Sequence, residues 1–115
     1  MKLILKKSEM KRVILESPYK GDIKRNIKYA RECVRDSLSR DESPIASHLL
    51  YTQEGILNDN IKFEREIGIK SGLEWLKVAE LIVFYIDYGY SEGMENTRKE
   101  AIKNNIPIEE RKIYS

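Results

Sequence analysis

Leu81-Ile82-Val83-Phe84-Tyr85-Ile86 is an unbroken run of six apolar or aromatic residues. A run of this kind suits a strand covered on both faces, the central position of a parallel sheet. Asp87 marks the carboxyl end of that strand. Gly89 allows a sharp turn, and Ser91 is placed to cap a helix running to about Asn104. Open α/β sheets bind ligands at the carboxyl ends of their strands, where the free N–H groups of a helix N-terminus favour anions. The functional centre is therefore expected around residues 81–95.

The rest of the chain alternates in the same way. Residues 12–16 read as a first strand, stopped by Ser17-Pro18-Tyr19-Lys20-Gly21-Asp22. Asp22 can cap a helix over 23–39, whose apolar stripe is Ile23, Ile27, Ala30, Val34 and Leu38. Cys33, beside that stripe, reads as a small buried hydrophobe. Asp41-Glu42-Ser43-Pro44 breaks the helix, and Ile45-Ala46-Ser47 reads as the second strand. Residues 48–60 have no clear period and read as a long loop with room for a helical turn, a kind of segment that often carries function. A second helix is expected over 61–77, carrying Phe63, Ile67, Leu73, Trp75 and Leu76. Gly68 and Gly72 cost that helix up to about 1 kcal/mol each relative to Ala. Close approach to the sheet or to a second subunit would explain them. A last strand starts at Ile106-Pro107-Ile108 and can reach Ile113.

Strand and helix thus alternate along one domain over 1–115. The expected fold is a flavodoxin-like α/β single domain in three layers, with a parallel sheet of about four strands, helices on both faces and right-handed crossovers. Residues 1–10 stand apart as an arm or an edge strand through Leu3, Ile4 and Leu5. The opening apolar run is too short for a signal peptide, and nothing approaches the length of a membrane span.

Charge and composition narrow the partners. The chain of 115 residues is 35% charged but carries a net charge of only +2, which argues against a dedicated nucleic-acid binder. One cysteine and one histidine cannot build a Cys/His zinc site or an internal disulfide, and a reducing, cytoplasmic setting fits. No metal or cofactor is expected. Glycine-rich phosphate loops and the nucleophile elbow are missing from the sequence.

The strand ends should gather Ser17, Pro18, Tyr19, Ser47, His48, Asp87, Ser91, Gly93 and Met94. His48 can bond a ligand, act as acid or base, or hold a loop carbonyl. Asp87 can accept from a ribose hydroxyl or cap the helix behind it. Tyr19 can stack on a base or lid the core. Tyr51, Tyr85, Tyr88 and Tyr90 add aromatic surface suited to a flat ligand, or serve as ordinary core and interface material.

Glu16-Ser17-Pro18-Tyr19, Asp87 and the turn into a Gly93-containing helix resemble the nucleoside 2-deoxyribosyltransferase-like superfamily. Ser17-Pro18-Tyr19-x-Gly21-Asp22, Ala46-Ser47-His48-Leu49-Leu50-Tyr51-Thr52-Gln53 and Ser91-x-Gly93-Met94 resemble more closely a family within it of small bacterial and phage proteins of unassigned function. The closer resemblance covers about residues 12–113. Enzymes of the superfamily cleave or exchange the N-glycosidic bond of nucleosides or nucleotides. They use a glutamate early in the last helix as nucleophile, supported by an aspartate. In a gap-free comparison the nucleophile's place falls at Thr97 and the aspartate's near Trp75, beside Glu74. Glu95 lies two residues from Thr97, and a two-residue slip turns a helical side chain by about 200°.

The resemblance thus implies a nucleoside or nucleotide pocket in a chain without the superfamily's catalytic pair. The expected function is binding of a nucleotide or nucleotide-derived, possibly cyclic, signal by a homo-oligomer, as a phage-type trap for a host immune signal. An N-glycosidase or transferase using Glu92 or Glu95 is the enzymatic alternative, and a protein-interaction module the third.

Overall fold

The structure, a computed structural model, describes residues 3–4 and 9–114. The order is β1 (Lys11–Glu16), α1 (Ile23–Ser39), β2 (Glu42–Ile45), α2 (Ser47–Leu50), α3 (Lys62–Glu74), a 3-10 turn (Trp75–Val78), β3 (Leu81–Tyr85), α4 (Glu92–Lys103) and β4 (Ile108–Arg111). The four strands form one all-parallel sheet in the order β2-β1-β3-β4. This is the expected three-layer α/β domain. Leu3 and Ile4 are exposed and lie in no strand. Most of the expected arm or edge strand lies outside the described residues.

Every residue of β3 is buried, because the strand is flanked by β1 and β4 and covered on both faces. Val13, Leu15, Val83 and Tyr85 pack with Tyr29 and Cys33 of α1. Ile14, Ile82 and Phe84 point the other way, against Leu76, Met94 and Ala101. The period-two alternation of β1 and β3 thus divides the core between α1 on one face and α3, the 3-10 turn and α4 on the other.

Three expectations are corrected. The buried face of α1 is Asn26, Tyr29, Ala30, Cys33 and Ser37, while Ile23 and Leu38 are exposed. Two polar residues can lie inward because they are paired: Asn26 Nδ2 donates to the carbonyls of Tyr19 and Lys20, and Ser37 Oγ donates to Glu42. The second strand is Glu42–Ile45 rather than 45–47. The helix ends at Arg40–Asp41, where Asp41 takes a φ of 63°, and Glu42 enters the strand. Its carboxylate is buried against both Arg111 Nη atoms at 2.8 and 2.6 Å. Burial raises the Glu42 carboxyl, but the Arg111 and Ser37 hydrogen bonds outweigh it and hold it below its ordinary value. Pro44 is tolerated because β2 is an edge strand. Finally, Phe63 and Ile67 of α3 are exposed, and only Leu73 and Leu76 reach the core.

The glycines of α3 do mark close approach, and within the chain it is to the side chains of Ser47 and Leu57 rather than to the sheet. A Cβ on Gly72 would lie 2.6 Å from Ser47 Oγ, and one on Gly68 would lie 3.3 Å from Leu57 Cδ1. No helix of the described residues is long and apolar enough to cross a membrane.

Candidate functional site

The carboxyl ends of β1 and β3 are neighbours, yet the chain leaves β1 for α1 on one face and β3 for α4 on the other. Where such connections diverge, an open parallel sheet leaves a crevice. Here it is a cavity of about 730 Å³, within the range of small-molecule sites. Ile14, Glu16 and Ser17 line it from β1 and the residue that follows. Tyr19, Lys20 and Gly21 line it from the β1–α1 loop. Ser47, His48 and Tyr51 contribute from α2 and its C-terminal cap, Gly68, Gly72 and Leu73 from α3, and Ser91 to Met94 with Thr97 from α4.

Local chemistry positions each wall. Ser91 Oγ accepts from the Met94 N–H at 3.2 Å, while the Ser91 N–H donates to Met94 Sδ. The buried Met94 side chain then pins this first turn to the sheet. Asp22 accepts from the Arg25 N–H and starts α1. Gly89 takes a φ of 76° in the turn between β3 and α4, and its N–H donates to the Ile86 carbonyl. Thr52 Oγ1 donates to the carbonyl of His48, closing the end of α2. The Trp75 indole N–H donates to Tyr51 Oη at 3.1 Å and fixes that ring at the cleft.

The polar centre is Glu16, Ser17 and His48. Ser17 Oγ lies 2.6 Å from His48 Nε2, and Glu16 Oε2 lies 3.8 Å from His48 Nδ1. The Nδ1 atom is buried and has no hydrogen-bond partner. Burial pushes the Glu16 carboxyl up to about 7, against a lowering contact from the Thr97 hydroxyl. Burial pushes the His48 imidazole down to about 4. At neutral pH the ring is uncharged, and burial lets Glu16 hold its proton far above the ordinary carboxylate range. A carboxyl poised between its two forms at the floor of a cleft can donate or accept a proton there.

Of the expected site residues, Ser17, Tyr19, Ser47, His48, Ser91, Gly93 and Met94 line the cleft, as do Glu92 and Thr97. Pro18, Asp87 and Glu95 do not. Asp87 follows Tyr85 on the α1 side of the sheet. Its carboxylate accepts from the Tyr29 hydroxyl at 2.6 Å and from the backbone N–H groups of Ile113 and Tyr114 at 3.0 and 2.9 Å. Those bonds outweigh its burial and hold its carboxyl below the ordinary value. Among the tyrosines only Tyr19 and Tyr51 reach the cleft. Tyr85 is in the core with its hydroxyl on Asp36, Tyr88 packs on Tyr29 beneath Arg25, and Tyr90 packs on Phe84.

Glu16 is not among the site residues expected from sequence. The readable signal is its place two residues after the inward Ile14, a charged group at the end of a buried strand. Among the described residues no group of three or more His, Cys, Asp or Glu could hold a metal ion.

A family model described as Domain of unknown function (DUF7768) matches residues 11–111, and the chain belongs to that family. No curated protein and no solved structure matches it.

Proposed function

We propose that this cleft binds a nucleoside, a nucleotide or a ligand derived from one. The observation that carries the reading is a ligand-sized void at the carboxyl edge of the sheet, where an interaction module would have a filled and dry edge. Tyr19 and Tyr51 offer aromatic surface for a base. Ser17, His48, Ser47 and Glu92 offer partners for sugar hydroxyls. Lys20, Arg65 and Lys99 offer charge to a phosphate.

The rim also carries Asp59, Glu64, Glu92 and Glu100 around the buried Glu16. Carboxylates at least as numerous as the cations disfavour a polyphosphate, so a nucleoside, a monophosphate or a cyclic nucleotide fits better than a triphosphate. The biological role that matches the resemblance is a phage-type trap for a nucleotide signal. The expected homo-oligomer now finds its support in the exposed Phe63, Ile67 and Ile69 of α3 rather than in the glycines. Sedimentation velocity tests it, and a monomer throughout a micromolar range refutes it.

The cleft is tested by incubating the protein with nucleosides, mono- and triphosphates and cyclic nucleotides. Chromatography before and after heat denaturation follows each compound. A bound compound disappears and returns intact. Return as free base and sugar would instead favour N-glycosidic cleavage, a reading that keeps Glu92 on the cleft wall but not Glu95. Full recovery of every compound before denaturation overturns the proposal.

A further inference from the structure

We propose that Ser17 is a covalent nucleophile, and that Ser17, His48 and Glu16 form a hydrolytic triad acting on carboxylic esters. The inference goes beyond binding and does not depend on the ligand being a nucleoside.

The geometry carries it. A serine nucleophile needs a base in hydrogen-bond contact and a third group that orients the base. Ser17 Oγ contacts His48 Nε2 at 2.6 Å, and the opposite ring nitrogen, Nδ1, faces Glu16 Oε2 at 3.8 Å. When the Ser17 hydroxyl donates to Nε2, the ring proton sits on Nδ1 and points towards Glu16. That is the tautomer a base needs. The buried Nδ1 has no hydrogen-bond partner, and the Glu16 carboxyl that faces it is the group available to orient the ring. The separation is longer than a hydrogen bond, and such contacts in ligand-free sites commonly tighten when substrate excludes water. All three residues line the cleft, and Ile14, Leu57, Leu73 and Leu76 give it an apolar wall beside them. That wall suits the acyl chain of an ester.

The reaction balances with water alone. Ser17 Oγ bonds to the ester carbonyl carbon, the carbonyl π pair moves onto oxygen, and the hydroxyl proton passes to His48 Nε2. Collapse of the adduct expels the alkoxide, which takes that proton and leaves as an alcohol. Water then gives a proton to His48 as its oxygen attacks the acyl carbon. Ser17 regains the proton and the carboxylic acid leaves. Ser17 and His48 are the catalytic residues; Glu16 is a positioning residue.

An alkyl fluorophosphonate tests the proposal without a known substrate, because Ser17 Oγ would bond to phosphorus as fluoride leaves. The full chain is incubated with the probe and followed by intact mass and peptide mapping. The expected result is one adduct, on Ser17. It is absent in Ser17→Ala and forms about 10²-fold more slowly in His48→Gln. Glu16→Gln slows it, and Glu16→Asp, which keeps the carboxylate, recovers part of the rate. Circular dichroism shows that each variant is folded. No adduct on the folded wild-type protein overturns the proposal, as does an adduct that persists in Ser17→Ala. A protein that labels but binds no nucleotide refutes the binding reading alone. One that binds but does not label refutes only the triad.

Discussion

Replacing Glu16 by Gln should change the pH dependence of stability in one direction only. In the unfolded chain the carboxyl loses its proton near 4.5, whereas burial in the fold holds the proton to about 7. Below pH 4.5 both states are protonated and the carboxyl adds no pH-dependent cost. Between 4.5 and 7 unfolding releases a proton, so raising the pH favours unfolding, and above 7 the penalty is complete. The difference corresponds to about 3 kcal/mol at 1.36 kcal/mol per pKa unit. Glutamine cannot ionise and removes that penalty. His48 runs the other way, losing stability as pH falls from 6.5 towards 4. It is present in both proteins, and its contribution is confined to the acid end of the range. Denaturant unfolding at intervals from pH 4 to pH 9 gives the assay. Relative to wild type, Glu16→Gln should gain about 3 kcal/mol between the two ends, or roughly 10 °C in melting temperature. Parallel stability curves would refute the placement of Glu16 as a buried, proton-holding carboxyl.

Gly72→Ala should separate stability from binding. Alanine gains up to about 1 kcal/mol of helix propensity, while its Cβ meets Ser47 Oγ at 2.6 Å and forces that side chain to move. Thermal melts should shift little while affinity for the cleft's ligand falls, and an unchanged affinity would show that Ser47 is not a contact. Glu42→Ala removes the two-point partner of a guanidinium whose side chain is 5% exposed and leaves it Glu109 and the Tyr85 hydroxyl. It should cost about 3 kcal/mol in denaturant unfolding, the low end for a broken buried pair because Glu109 remains, and a loss below about 1 kcal/mol would contradict a buried pair. Ser91→Ala should cost about 1 kcal/mol through the lost cap and loosen the first turn of α4. Amide hydrogen exchange at Gly93 and Met94 should rise accordingly, and unchanged protection there would refute the capping role.

The parts of the fold readable from sequence are those where one residue type has one physical reason to be present. The run 81–86 is apolar on both faces and became the central strand. Ser91 and Asp22 are caps because their side chains satisfy backbone N–H groups that the helix leaves free. What stayed hidden depends on pairing across the chain. Glu42 reads as a helix breaker until Arg111, 69 residues away, is seen to neutralise it. Asn26 and Ser37 read as outward-facing because their buried hydrogen-bond partners lie on other segments. Asp87 sits at a strand end, as expected, but the parity of β3 turns it towards α1 and away from the cleft. Glu16 is hidden for the converse reason. A charged residue closing a short strand reads as solvated, and only the packing of α4 and α2 shows that it is enclosed.

The measurement that tests the cleft most directly is a two-dimensional amide NMR titration with the panel compound that binds most tightly. The account predicts perturbations concentrated at Ser17, Tyr19, Ser47, His48, Gly93 and Thr97, with Asp87 and the exposed face of α3 unmoved. Perturbations centred on Phe63 and Ile67, or on the Asp87–Tyr114 corner, would contradict it.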